Sequence, residues 1–180
     1  MRHSLMAAAA SAAILIGGGC APMDGGARTA GMRDMTPRTA RPYVMMAGAS
    51  DLFEIQSSQM AVQRATRPEV RQYAQMLIQH HQMTSQQVMG AARASGMNPP
   101  PPRLLPMQQR MLEQLRRAPA GAFDRTYMMQ QIPAHEMALG LHRTYAAGGD
   151  RQPLRTVAGN AVPIVTQHLN DAQRLSSMMR

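Results

Sequence analysis

The stretch PEVRQYAQMLIQHHQMTSQQVMGAARASG, Pro68 to Gly96, decides the fold. Val70, Ala74, Leu77, His81 and Val88 recur at steps of four, three, four and seven, which is the period of an amphipathic helix. Pro68 suits the first turn of that helix and Gly96 its C-terminal cap. Adjacent residues on a helix point about 100° apart, so His80 and His81 cannot share a role. His81 falls within the apolar stripe and predicts a side chain facing the core. His80 falls on the shoulder, with Met76 four residues before it, Met83 three after it, and Tyr73 and Gln87 on the same face.

Outward from this segment, apolar spacing and Pro/Gly punctuation predict three more long helices. They cover about Val44 to Ala65, Gly121 to Ala147, and Asp150 or Arg151 to Met178. Between the second and third lies NPPPP, Asn98 to Pro102, an extended spacer that no helix can enter, followed by a short helix from Pro106 to Arg117. Pro133 and Pro163 sit inside the last two long helices, where each frees a carbonyl four residues earlier. Aromatics are only 3% of the chain, Trp is absent, and Met, Gln, Ala and Arg are plentiful. These are helix formers with few β-branched runs. The expected architecture is all-α, an antiparallel four-helix bundle with an extra short helix before the third long one.

The histidines repeat a pattern across this bundle. In the third long helix Met128, Ile132, His135, Leu139 and His142 form one stripe; in the fourth, Leu154, Ala158, Ala161, Val165, His168, Ala172 and Leu175 do so. The first helix has no histidine but carries Glu54, on a face otherwise made of Ala47, Asp51, Ser58, Ala61 and Ala65. A lone buried carboxylate is costly unless paired or coordinated. Glu54, His81, His135 and His168 are therefore the candidate ligands of one transition-metal ion, Zn, Fe, Cu or Ni, since residue types alone do not choose among these. Secondary metal candidates are His142 and the set Met76, His80 and Met83, whose thioethers and imidazole suit copper. The competing expectation is that the methionines are adaptable core filler and the histidines are packed and hydrogen-bonded. A di-iron oxidase is excluded: it needs a Glu three residues before its histidines, and those positions hold Ile78, Ile132 and Val165.

The N-terminus reads as an address. MRHSLM is a short positive region, AAAASAAILI an apolar core, and GGGC closes it on small residues. Residues 1–19 are expected to be a lipoprotein signal peptide, Cys20 the lipidated first residue, and residues 20–42 a flexible tether rich in Gly, Ala, Arg, Thr and Pro. The bundle domain then spans residues 43–180. Cys20 is the only cysteine, so no intramolecular disulfide can form. Ala21 follows it, where many inner-membrane lipoproteins carry aspartate. The expected location is therefore the outer membrane facing the periplasm, with soluble secretion the alternative. All 19 basic residues are Arg and ten acids leave a net charge of +9, but the arginines are scattered and no recognition motif or aromatic platform accompanies them. A nucleic-acid partner is not expected.

ASDLFEIQSSQMA, EVRQYAQMLIQHH, AFDRTYMMQQIPAHEMAL and VPIVTQHLNDAQRL, in that order, are similar to domain-of-unknown-function family 4142 of bacterial envelope proteins. The resemblance covers nearly all of Tyr43 to Leu175. It implies a ferritin-like bundle, exported, with no established activity, and motif positions at Glu54, His81, Phe123, Asp124, His135, Pro163 and His168. Where many members carry Asp before the second-helix histidine, this chain has His80. No catalytic constellation stands out, so an enzyme is not expected. Metal handling competes with a structural or stress-related envelope role in which Tyr73, Tyr127 and Tyr145 anchor the core or a protein partner. Convergence of the imidazoles separates the two: ligands meet at one level, whereas packed rings spread along the bundle.

Overall fold

The computed structural model describes residues 36–179. The expected signal peptide, Cys20 and the first part of the expected tether lie outside them. Five helices follow in order: α1 Ala40–Arg64, α2 Pro68–Ala94, α3 Pro106–Arg117, α4 Ala120–Gly148 and α5 Gln152–Ser177. α1 starts four residues before the expected Val44, with Pro42 accommodated in its first turn, where a missing N–H is harmless. The end of the expected tether is thus already helix, and Arg38 accepts a backbone hydrogen bond from Asp150 N–H at 3.0 Å. No helix among the described residues is long and apolar enough to cross a membrane.

The long helices pack as a ring, α1 against α2, α2 against α5, α5 against α4, and α4 against α1. Every neighbouring pair runs antiparallel. Tyr43 near the start of α1 meets His142 and Tyr145 near the end of α4, while Ser58 later in α1 meets Tyr127 early in α4. α2 and α4 are consequently parallel across the diagonal, so the link between them must travel the length of the bundle. The proline run makes this possible, because an extended segment advances about 3.1 Å per residue. It passes so close to α1 that a Cβ on Gly48 would lie 3.1 Å from Pro102 Cγ.

Turn chemistry closes the ends. α2 stops in a Schellman motif, with Gly96 at φ 77°, Gly96 N–H bonded to Arg93 O at 2.9 Å and Met97 N–H to Ala92 O at 3.0 Å. At its other end α2 has no cap from its own chain segment. Asp124, one turn into α4, supplies it: the carboxylate accepts from Thr66 N–H, Thr66 Oγ1 and Arg67 N–H at 2.8–3.2 Å. Phe123 beside it lies under the Arg64 guanidinium, 4.5 Å from ring centroid to Cζ, and that guanidinium also binds the carbonyls of Leu115, Arg116 and Ala118 at the end of α3. The Phe-Asp motif is thus a corner that ties together three helix ends. α4 and α5 continue through Pro133 and Pro163, both of which face solvent, where water can reach the carbonyls they free.

Side chains divide the bundle into three storeys. One end holds Ala61, Val70, Leu77, Phe123, Tyr127, Met128 and Leu175; the other holds Tyr43, Val44, Val88, Tyr145, Leu154 and Ala158. Full burial of a large apolar side chain contributes about 1.5–3 kcal/mol. Between the storeys sit Asp51, Glu54, Ser57, Ser58, His81, Gln131, His135 and His168, all buried. Tyr73, Tyr127 and Tyr145 belong to the core, joined by Tyr43, which stacks on Tyr145 at 3.9 Å. The methionines divide between core and surface. Of the eight large apolar side chains exposed among the described residues, seven are Met, so core filling does not explain them.

Candidate metal centre

His81, His135 and His168 are brought together at the middle of the bundle by α2, α4 and α5. One ring nitrogen of each lies within 4.8 Å of those of the other two. Ring centroids are 5.3–5.7 Å apart, and the three side chains are buried. The adjacent pair is oriented as the periodicity predicts: His81 is inward and His80 half-buried at the edge.

Each ring is fixed by one nitrogen. His81 Nδ1 pairs with Asp51 Oδ1 at 2.8 Å, His135 Nδ1–H donates to the Gln131 carbonyl at 2.9 Å, and His168 Nε2 pairs with His80 Nδ1 at 2.8 Å. The opposite nitrogens, His81 Nε2, His135 Nε2 and His168 Nδ1, have no hydrogen-bond partner. In His135 the geometry dictates the tautomer, because a carbonyl only accepts; the lone pair must sit on Nε2. An unmet buried polar atom costs about 1–3 kcal/mol. Three of them, one per ring on three facing helices, fit a cation better than an apolar core does.

Electrostatics agree with that reading. Burial, then the neighbouring imidazoles, push His81 and His135 down to about 3 and His168 to about 2. The rings are therefore neutral at physiological pH, the form that coordinates metal. Asp51 and Glu54 move the other way, raised well above the ordinary carboxylate range by burial and, for Glu54, also by the charge of Asp51.

Glu54 is buried as expected, but it stands beside the three histidines and is not grouped with them. Its Oε1 is 3.8 Å from His135 Nδ1, the nitrogen already held by Gln131, and neither carboxylate oxygen has a hydrogen bond. Asp51 is the residue that the reading of the sequence passes over. Glu54 is not a lone buried carboxylate: Asp51 and Glu54, three residues apart on α1, both face inward. That i, i+3 spacing was the available signal. His142 lies off the group, bonded through Nδ1 to Tyr43 OH at 3.1 Å. Of the remaining candidates, Met76 packs against the apolar storey, Met83 is 53% exposed, and His80 is engaged with His168, stacked at 5.1 Å.

Such a cluster offers three neutral borderline donors in a dry setting, with two buried carboxyl groups within reach to orient rings or offset charge. It can hold one transition-metal ion. The fold is shared with solved structures. CopM in the Cu(II)-bound form superposes with a TM-score of 0.67 at 17% identity, covering 79% of this chain and 98% of that one. CopM in the Cu(I)-bound form gives 0.68 at 19%, covering 78% and 97%. A DUF305 fragment from Deinococcus radiodurans gives 0.68 at 15%, covering 79% and 97%. No curated protein matches the sequence. The match that includes the sequence itself is to the domain of unknown function DUF4142 over residues 25–175, which takes in all four long helices through Leu175 and every residue of the histidine cluster, and the chain belongs to that family.

Proposed function

We propose that this protein is an exported, lipid-anchored bundle of the bacterial envelope that binds one transition-metal ion through His81, His135 and His168. The observation that carries the reading is the set of three unpartnered ring nitrogens at one level of the bundle. In this reading Asp51, Gln131 and His80 orient the three rings, and Glu54 supplies a nearby carboxylate. Copper is the ion to test first, since the similarly folded CopM is known in Cu(I)- and Cu(II)-bound forms and imidazole accepts either state. Anchoring through Cys20 to the outer membrane places the bundle in the periplasm, where such an ion is met.

The test is elemental analysis of protein purified from a periplasm without added metal or a histidine tag, beside His81→Ala, His135→Ala and His80→Ala. The expected result is one ion per chain, lost in the first two variants and retained in the third at reduced affinity. About 10–100-fold weakening is usual when a ligand's orienting partner is removed. Metal-free wild-type protein that also fails to take up Cu, Zn, Ni or Co on titration sinks the reading.

A further inference from the structure

We propose a second metal site on the surface, formed by Met46, Met107, Met111 and Met137, that takes a soft monovalent cation, Cu(I) or Ag(I). It is separate from the histidine cluster and stands whether or not that cluster binds an ion.

The four thioethers come from three helices and line one groove: Met46 from α1, Met107 and Met111 one turn apart on α3, and Met137 from α4. The floor is closed by Phe53, Ala134, Ala138 and Leu141, all buried. Met46, Met107 and Met137 are 39%, 41% and 50% exposed, and Met111 is half-buried. Leucines and phenylalanines of the same helices are buried almost without exception, so the chain is not careless with apolar surface. It exposes thioethers in particular.

Three further features choose the ligand. The groove encloses about 70 Å³, against roughly 300–1,000 Å³ for a small-molecule pocket, so its occupant is small. Its lining contains no Asp, Glu, His or Cys, and the Gln108 carbonyl oxygen is committed to Leu105 N–H at 2.8 Å. A hard divalent ion finds no charged oxygen there, only the Ser50 hydroxyl and the Gln108 amide. Four neutral sulfur donors against those two neutral polar groups favour soft cations, and the unbranched Met side chain can converge on an ion without moving the backbone.

Phe53 and Ala134 of the groove's floor adjoin Glu54 and His135 in the chain.

The experiment titrates purified full-length protein with Ag(I) by calorimetry, and with Zn(II) in parallel. The variant M46L/M107L/M111L/M137L keeps volume and apolarity while removing every sulfur. It should lose one bound Ag(I) per chain and take up Zn(II) as the wild type does. Protein carrying His81→Ala and His135→Ala should keep that Ag(I) equivalent, which separates this site from the histidine cluster. Unchanged Ag(I) stoichiometry and affinity in the leucine variant would overturn the proposal and make the groove plain apolar surface. Should the leucine variant fail to fold, X-ray absorption of Cu(I) on the histidine double variant decides: a sulfur-only shell supports the site, and a nitrogen or oxygen shell refutes it.

Discussion

Acid should loosen the metal-free bundle at a rate set by its polar storey. Below pH 6.5 an unfolded chain protonates His81, His135, His142 and His168, whose ordinary value is about 6.5. In the folded chain burial holds all four down, to about 3, 3, 4 and 2. Four protons therefore favour the unfolded state. Asp51 and Glu54 oppose them, because folding raises both and keeps them protonated where unfolded carboxyls have ionised. The difference is two protons. Each proton is worth about 1.36 kcal/mol per pH unit, so stability should fall by about 2.7 kcal/mol per unit between roughly pH 6 and 4.5. Above pH 6.5 the histidines drop out and their contribution levels off. His81 and Asp51 form a coupled pair, but the count is the same whichever of them carries their shared proton. Urea melts followed by circular dichroism from pH 4.5 to 8 measure the curve, and His142→Gln should reduce the acid slope by about 1.4 kcal/mol per unit. A flat profile, or stability that climbs steadily towards pH 5, would refute the assignment of neutral imidazoles to the folded state.

Other outcomes follow from single contacts. Asp124→Ala strands Thr66 N–H, Arg67 N–H and the Thr66 hydroxyl, and should cost about 2–4 kcal/mol in denaturant unfolding with metal binding by the folded protein intact. Gly48→Val drives a branched side chain into Pro102 and should destabilise by about 1–3 kcal/mol, with increased protease nicking in the proline run. Cys20→Ser should move the protein from the membrane fraction to the soluble periplasm, and unchanged fractionation would end the lipid-anchor reading.

Much of the bundle is legible from periodicity because its helices are punctuated by residues with few alternatives. Pro68, Gly96 and the proline run mark ends that the structure places within a residue or two. The inward histidines are legible for the same reason: position on a stripe dictates direction once a core exists. What periodicity does not carry is which residue on one helix meets which on another. Asp51 reads as one member of a face of small residues, and its pairing with His81 depends on how α1 and α2 are aligned. Asp124 is marked only as a motif position by the family resemblance, and the packing of α4 against the α1–α2 turn reveals it as a cap supplied from outside. The methionines misread for a different reason. Hydropathy places them inside, while the structure leaves seven exposed.

The polar storey also acts as a registration pin. α1 presents Ala47, Gly48, Ala49, Ser57, Ser58 and Ala61 along buried positions, a smooth track on which a partner helix could slip by one turn, about 5.4 Å, with little change in packing. Such a slip would part Asp51 from His81 and Ser58 from Tyr127, stranding four buried polar groups in apolar surroundings. The two hairpins are moreover unlike at this level: α1–α2 brings both carboxyls and one inward imidazole, and α4–α5 brings two imidazoles. Only one alignment matches them, so the same residues that are poised to hold an ion also select a single docked arrangement from a ladder of nearly equivalent ones.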